Sequence, residues 1–185
     1  MIKEGSIVDV DVNLGPLDPG DFEKVYAIME EAFPPAETWP YEKAKELIAE
    51  PDYRILCVKS KKEKLAGFLA IRDFPTFNFA EYFAIRKSMR GRGVGSAALQ
   101  RYLDLSIKPL VLEVEAYDTP QASRRINFYR KLGFHLNDLS YIQPPVHHGD
   151  PPVPLTIMSH PVLIPKNHRH KIKNQIFKRV YGCSA

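Results

Sequence analysis

The residues with the most evident chemistry lie between Ile85 and Leu99, in the stretch IRKSMRGRGVGSAAL. A strand-like run ends at Ile85 and a basic loop follows. Arg90, Gly91, Arg92, Gly93, Val94, Gly95 and Ser96 then lead straight into a helical pattern. Glycine lets the backbone curl until successive N–H groups point into one concavity. A helix starting there adds unpaired N–H groups and the positive end of its dipole. Together with the arginine charges, these groups can cradle a pyrophosphate. The plainer reading is a Gly-rich turn that only joins strand to helix. The strand before it, the helix after it and the flanking arginines favour the cradle. A P-loop is excluded, because Gly-Lys-Ser/Thr is missing. A dinucleotide fingerprint fits poorly, since Ser96 and Ala98 stand where its last glycine would fall.

Two other groups of residues were weighed for chemistry. His147, His148 and Asp150 lie in PPVHHGDPPVP, residues 144–154, which holds five prolines and reads as a loop. A metal site needs three or four convergent ligands, and adjacent histidines in such a loop usually diverge, so no metal is expected. Cys57 lies within a strand pattern and Cys183 near the end of the sequence, and neither looks like a positioned nucleophile.

The elements that must position the loop follow from periodicity. Ile7 to Leu14 alternates as a strand, Asp21 can cap a helix through Phe33, and a second helix runs from about Tyr41 to Ala49. Strands follow at Tyr53 to Lys59, Leu65 to Phe74 and Phe77 to Ile85. Val94, Ala97, Ala98, Tyr102 and Leu105 mark a helix that Pro109 closes. Leu110 to Ala116 is a strand, and Ala122 to Leu132 is a helix stopped by Gly133. Strands at Phe134 to Ile142 and Leu155 to Ile164 precede a C-terminal amphipathic helix marked by Ile172, Ile176, Val180 and Tyr181. The order is β-α-α-β-β-β-α-β-α-β-β-α, a mixed α/β chain.

Composition narrows the class. The chain has 185 residues, 44% hydrophobic and 26% charged, which suits one globular domain with its own core. No apolar run is long enough to span a bilayer and no signal-peptide core is visible, so a cytoplasmic setting without membrane partners is expected. Two cysteines are too few for a disulfide framework. The net charge is +4, which invites a nucleic-acid reading. Six of the 26 Lys and Arg follow Pro161, with no Asp or Glu among them, so the body before it is net negative. General polyanion binding does not explain that body, and no nucleic-acid partner is expected. The basic tail, residues 165–185, reads as a surface helix docked on the domain formed by residues 1–164.

Arg90-x-x-Gly93-x-Gly95 resembles the (Gln/Arg)-x-x-Gly-x-(Gly/Ala) signature of the GNAT acyl-CoA N-acyltransferases. About thirty residues later, INFYRKLGF (Ile126 to Phe134) is similar to that family's second motif, a Tyr on a helix just before Leu-Gly-Phe. The resemblance covers about Asp21 to Ser159. It implies the GNAT fold, a mixed central sheet with a splayed strand pair flanked by helices, and acetyl-CoA as co-substrate. Backbone N–H groups of Arg92 to Ser96 would then hold the pyrophosphate, and Phe83, Ala84 and Ile85 would pair with the pantetheine arm. Tyr129 would protonate the departing thiolate. Its plainer reading is an aromatic that packs the helix on the sheet. Ala122 stands where many relatives carry a pantetheine-binding Asn. Asn127 is the nearby substitute, on a different helix face.

An amine acceptor is mostly protonated at neutral pH and must lose a proton to attack, and the resemblance implies a carboxylate on the splayed strands that takes it directly or through water. Glu81 is the first candidate, Glu113 the second, and Glu115 lies nearby. Each has the plainer reading of a strand-edge carboxylate. By the same resemblance His147 and His148, with Trp39, Tyr141 and Gln143, are candidates for contact with the acceptor. The expected activity is N-acetyl transfer to a primary amine of a small molecule or peptide by direct attack, in a monomer or homodimer. A non-catalytic acyl-CoA sensor that keeps the cradle is the alternative.

Overall fold

A computed structural model describes residues 10–115, 119–147, 149 and 151–183. Seven strands form one sheet: β1 (Val12–Pro16), β2 (Tyr53–Ser60), β3 (Gly67–Asp73), β4 (Asn78–Ile85), β5 (Leu110–Glu115), β6 (His135–Gln143) and β7 (Val153–His160). Their spatial order is β1-β2-β3-β4-β5-β7-β6. All neighbours are antiparallel except β4 and β5, which are parallel. The helices are α1 (Phe22–Ala32), α2 (Tyr41–Leu47), α3 (Val94–Leu105), α4 (Pro120–Lys131) and α5 (Lys166–Ile176). A wide π-helical turn, Phe177–Tyr181, continues α5.

Alternation along the strands sorts the side chains onto two faces. Phe68 and Ala70 pack under α1 and α2 with Val25, Ile28, Met29 and Leu47. Leu69 and Ile71 point the other way, beneath α3 and α4 with Leu99, Leu103 and Ile126. The C-terminal segment returns to the first face. Ile176, Phe177 and Val180 bury there against Phe77, Phe79, Val111 and Ile157.

Two local features shape the centre of the sheet. The β3–β4 register runs Ile71↔Ala80 and then Ala70↔Tyr82, so Glu81 has no partner in β3 and forms a bulge. The extra residue resets the alternation. Ala80 faces α3 and α4, whereas Tyr82, two residues on, faces α1 and α2. The second feature is the β4–β5 seam, which pairs only Asn78↔Leu110, Phe79↔Val111 and Ala80↔Leu112. β4 stays paired to β3 as far as Ile85, and β5 to β7 as far as Glu115, so the two strands part after Ala80 and Leu112.

The element order matches the reading from periodicity, with shifts at the ends. Ile7 and Val8 lie outside the described residues, and β1 runs on through Pro16. It is an edge strand, where a missing N–H costs no ladder bond. The Pro-rich loop ends two residues early, because Val153 and Pro154 already pair with β6. Pro154 is tolerated there, since it lies beyond the last β5 pair, Glu115↔Leu155. β7 stops at His160, not Ile164, ahead of Pro161 and Pro165. No helix among the described residues is long and apolar enough to cross a membrane.

Candidate active site

A channel runs where β4 and β5 part. Its walls include Ala80, Phe83, Ala84 and Ile85 of β4, Leu112 of β5, and Gln121, Arg125 and Tyr129 of α4. It continues into a hollow bordered by Arg90, Gly91, Gly93, Gly95, Ser96 and Phe128. Gly91 and Gly93 have φ of +73° and +78°, the left-handed region that side chains disfavour. Gly93 directly precedes the first residue of α3, so the curled loop delivers the helix N-terminus to the hollow. Gly95 has no such backbone constraint and packs closely. A Cβ there would lie 3.4 Å from Ile85 Cγ1 and 3.8 Å from Phe128 Cζ. Arg90 Nε donates to the Ile85 carbonyl at 2.8 Å, which fixes that arginine at the junction of strand and loop.

The remaining loop residues separate by role. Val94 buries its side chain with Val12, Val58 and Ile85, so only its backbone is available to a ligand. Arg92 is exposed and does not border the hollow. Asn127 is exposed on α4 and is not among the residues that border the hollow or the channel. Helical geometry explains this: two positions from Tyr129, Asn127 points well away from that residue's face.

A second cleft opens on the face covered by α1 and the C-terminal turn. Phe33, Glu37, Trp39, Glu81, Tyr82, Glu113, Glu115, Arg125, Gln143, Val180 and Tyr181 are among the residues that line it. Channel and cleft share Glu81 and Glu113, the first residues past the last β4–β5 pair, together with Phe33 and Arg125.

The two carboxylates are held differently. Glu81 accepts from Arg72 Nε at 3.2 Å and from Trp39 Nε1 at 3.3 Å. Arg72 is fully buried and also pairs with Glu50 at 2.7 Å and Asp52 at 3.4 Å. Arg179 of the π turn reaches the same Asp52 at 2.6 Å. Burial raises the Glu81 carboxyl and Arg72 opposes that rise. Glu113 has no cation on it among the described residues. The hydroxyls of Tyr141 and Tyr181 donate to its two oxygens, the second at 2.7 Å. Burial pushes it up to about 7, against the lowering effect of those two bonds.

Tyr129 is buried on α4 and borders both channel and hollow. Burial pushes its hydroxyl up to about 12, so it stays protonated at neutral pH. Farther out in the cleft, the carboxyls of Glu37 and Glu115 meet, and Arg125 lies 3.9 Å from Glu115. Burial, with Glu115 beside it, pushes Glu37 up to about 7.

Of the expected acceptor contacts, Trp39 and Gln143 line the cleft. Tyr141 is not among the lining residues and holds Glu113 from behind. His147 is a structural tie: its Nε2 bonds the carbonyls of Pro35 and Thr38, at 3.0 and 2.9 Å, and it does not line the cleft. Its ring pins the Pro-rich loop to the segment after α1, which its loop position could not reveal. His148 lies outside the described residues. Sequence reasoning missed Arg72, Glu37, Arg125 and Tyr181. The one local signal was Arg72, a lone charge at the end of the apolar run GFLAIR.

The sequence profile of the Acetyltransferase (GNAT) family matches residues 22–134. The chain belongs to that family, whose members transfer acetyl groups from acetyl-CoA. A solved Bacteroides thetaiotaomicron structure, named "Putative acetyltransferase from GNAT family", superposes with a TM-score of 0.86 at 29% identity, over 93% of this chain and 99% of that one. The Escherichia coli ribosomal-protein-S18-alanine N-acetyltransferase shares the fold, with a TM-score of 0.63 at 20% identity over 84% of this chain and 96% of its own. A curated Bacillus subtilis protein named "Putative acetyltransferase YjbC" is 31% identical over 84 residues, 44% of this chain and only 43% of that protein.

Proposed function

We propose that the enzyme moves an acetyl group from acetyl-CoA to a primary amine by direct attack, with Glu113 taking the amine's proton and Tyr129 supplying one to the CoA thiolate. The observation that carries this reading is the meeting of channel and cleft at Glu81 and Glu113. An acyl group entering along β4 and an amine entering past Trp39 would come together there and nowhere else among the described residues. Holding the two reactants in line supplies much of the rate.

The chain's residues divide the work. The curled loop and the start of α3 suit a pyrophosphate. Residues 81–85 of β4 are unpaired toward β5 and can bond an extended arm as a further strand would. A carboxyl that titrates near 7 is well tuned as a general base at neutral pH. Glu81, already held by Arg72 and Trp39, is better suited to shaping the pocket. Glu113 takes one proton from the ammonium and passes it to solvent, the neutral nitrogen bonds the carbonyl carbon, and its second proton leaves by the same carboxylate on the way to the amide. The C–S bond then breaks and the thiolate takes the Tyr129 proton, which solvent restores.

The test is thiol release from acetyl-CoA with a panel of primary amines. Tyr129→Phe should lower kcat by roughly 10²–10⁴-fold while acetyl-CoA affinity by calorimetry holds. Acetyl-CoA binding without thiol release for any amine would favour the sensor reading instead.

A further inference from the structure

The charges that line the acceptor cleft are unbalanced. Glu37, Glu81, Glu113 and Glu115 face a single cation among the lining residues, Arg125. Arg72 approaches Glu81 from behind but is shared with Glu50 and Asp52. Glu113 has only tyrosine hydroxyls, and Glu37 meets another carboxyl. Phe33, Trp39, Val180 and Tyr181 give the same cleft apolar and aromatic surface.

A separate observation concerns Gln143. Its side chain borders the same cleft, the residue is 8% exposed, and its amide has no hydrogen-bond partner among the described residues. The amide is thus open to the cleft, and an occupant of the cleft can hydrogen-bond it. Register places it at the outer end. Tyr141 pairs with Leu155, which pairs with Glu115, and Gln143 lies two residues farther along β6.

We infer that the acceptor is a small dication, a primary amine whose reacting nitrogen sits at Glu81 and Glu113 and whose second positive charge is bound by Glu37 and Glu115, with the Gln143 carbonyl as a further acceptor. The inference rests on the acetyl-transfer reading above. Spacing sets the length. Glu113 and Glu115 are two residues apart on one strand face, about 6.7 Å. An extended carbon chain advances roughly 1.25 Å per bond given tetrahedral geometry and bonds of about 1.5 Å. About four or five methylenes between the nitrogens match that span.

The test uses the full chain with acetyl-CoA and four acceptors of one length: 1,4-diaminobutane, n-butylamine, 4-aminobutan-1-ol and 4-aminobutanoate. The kcat/KM for the diamine should exceed that for butylamine by roughly tenfold or more, the worth of a charge-assisted contact. The carboxylate should be poorest, and 1,2-diaminoethane should lose the advantage. Glu37→Gln and Gln143→Leu should each lower the diamine-to-butylamine ratio. Calorimetry of the protein–CoA complex with 1,4-diaminobutane provides a readout that needs no turnover, and Glu37→Gln should weaken that binding. Equal use of butylamine, or preference for the aminoalcohol or the carboxylate, would overturn the dication while leaving acetyl transfer intact. Absence of thiol release with every amine would overturn both.

Discussion

Glu113 illustrates how surroundings, and not residue type, assign a chemical task. It and Glu81 are both buried carboxyls at the mouth of one gap, but only Glu81 has a guanidinium on it. Because Glu113 titrates near 7, kcat/KM should rise with pH through that region as it ionises. Glu113→Gln should remove that limb and lower the neutral-pH rate by roughly 10²–10⁴, whereas Glu81→Gln should leave the limb in place. A pH–rate profile in which the limb survives Glu113→Gln and vanishes in Glu81→Gln would reverse the assignment. Stability carries the same signature. The folded-state value lies above the ordinary 4.5, so the unfolded chain releases this proton first as pH rises. The wild type should therefore lose stability relative to Glu113→Gln between about pH 4.5 and 7, and hold that deficit above. Urea titrations at pH 5 and pH 8 measure it.

At the scale of elements, the loop that opens α3 depends on backbone shape. Gly93 has φ of +78° at the N-cap. Gly93→Val should weaken acetyl-CoA binding by roughly 5–150-fold by calorimetry, given about 1–3 kcal/mol of strain for a side chain held there. Gly95 is helical and a Cβ there makes ordinary contact with Ile85 and Phe128, so the milder Gly95→Ala should bind acetyl-CoA better than Gly93→Val. Undiminished affinity in Gly93→Val would remove the loop from the binding site. This loop was legible in the sequence because its signal is local: glycines, arginines, a strand before and a helix after. The helices and strands were legible for the same reason, through apolar period. The cleft was not. Arg72, Glu37 and Tyr181 come together only through tertiary packing, over up to 144 residues of chain. The bulge at Glu81 left no trace either, since an aromatic-rich run with apolar residues on both faces hides a change of alternation.

The whole molecule ties its C-terminal segment to the chemistry. Ile172, Ile176, Val180 and Tyr181 read as the buried side of a surface helix, and Ile176, Phe177 and Val180 do bury. Tyr181 also reaches Glu113, and Arg179 reaches the Asp52 and Glu50 that hold Arg72 against Glu81. The same five-residue turn thus touches Glu113 directly and Glu81 through two links, Asp52 and Arg72. Tyr181→Phe keeps the ring and removes one donor from Glu113. Its carboxyl should then titrate higher, which moves the acid limb of the pH–rate profile upward while acetyl-CoA affinity is held. A limb that stays in place would make Tyr181 a packing residue only.

The seam between β4 and β5 has a mechanical consequence. It joins the two halves of the sheet through three residue pairs, with α3 and α4 packed over one face and the C-terminal segment over the other. Such a seam is a fulcrum. Any widening of the gap is a rotation about it, and displacement grows with lever arm. Glu81 and Glu113 sit beside the pivot and travel least. Ile85 and Glu115, four and two residues farther out, travel more. The proton transfer we propose for Glu113 would then fall where the gap changes least, and the wider end would be left to admit ligands of different girth.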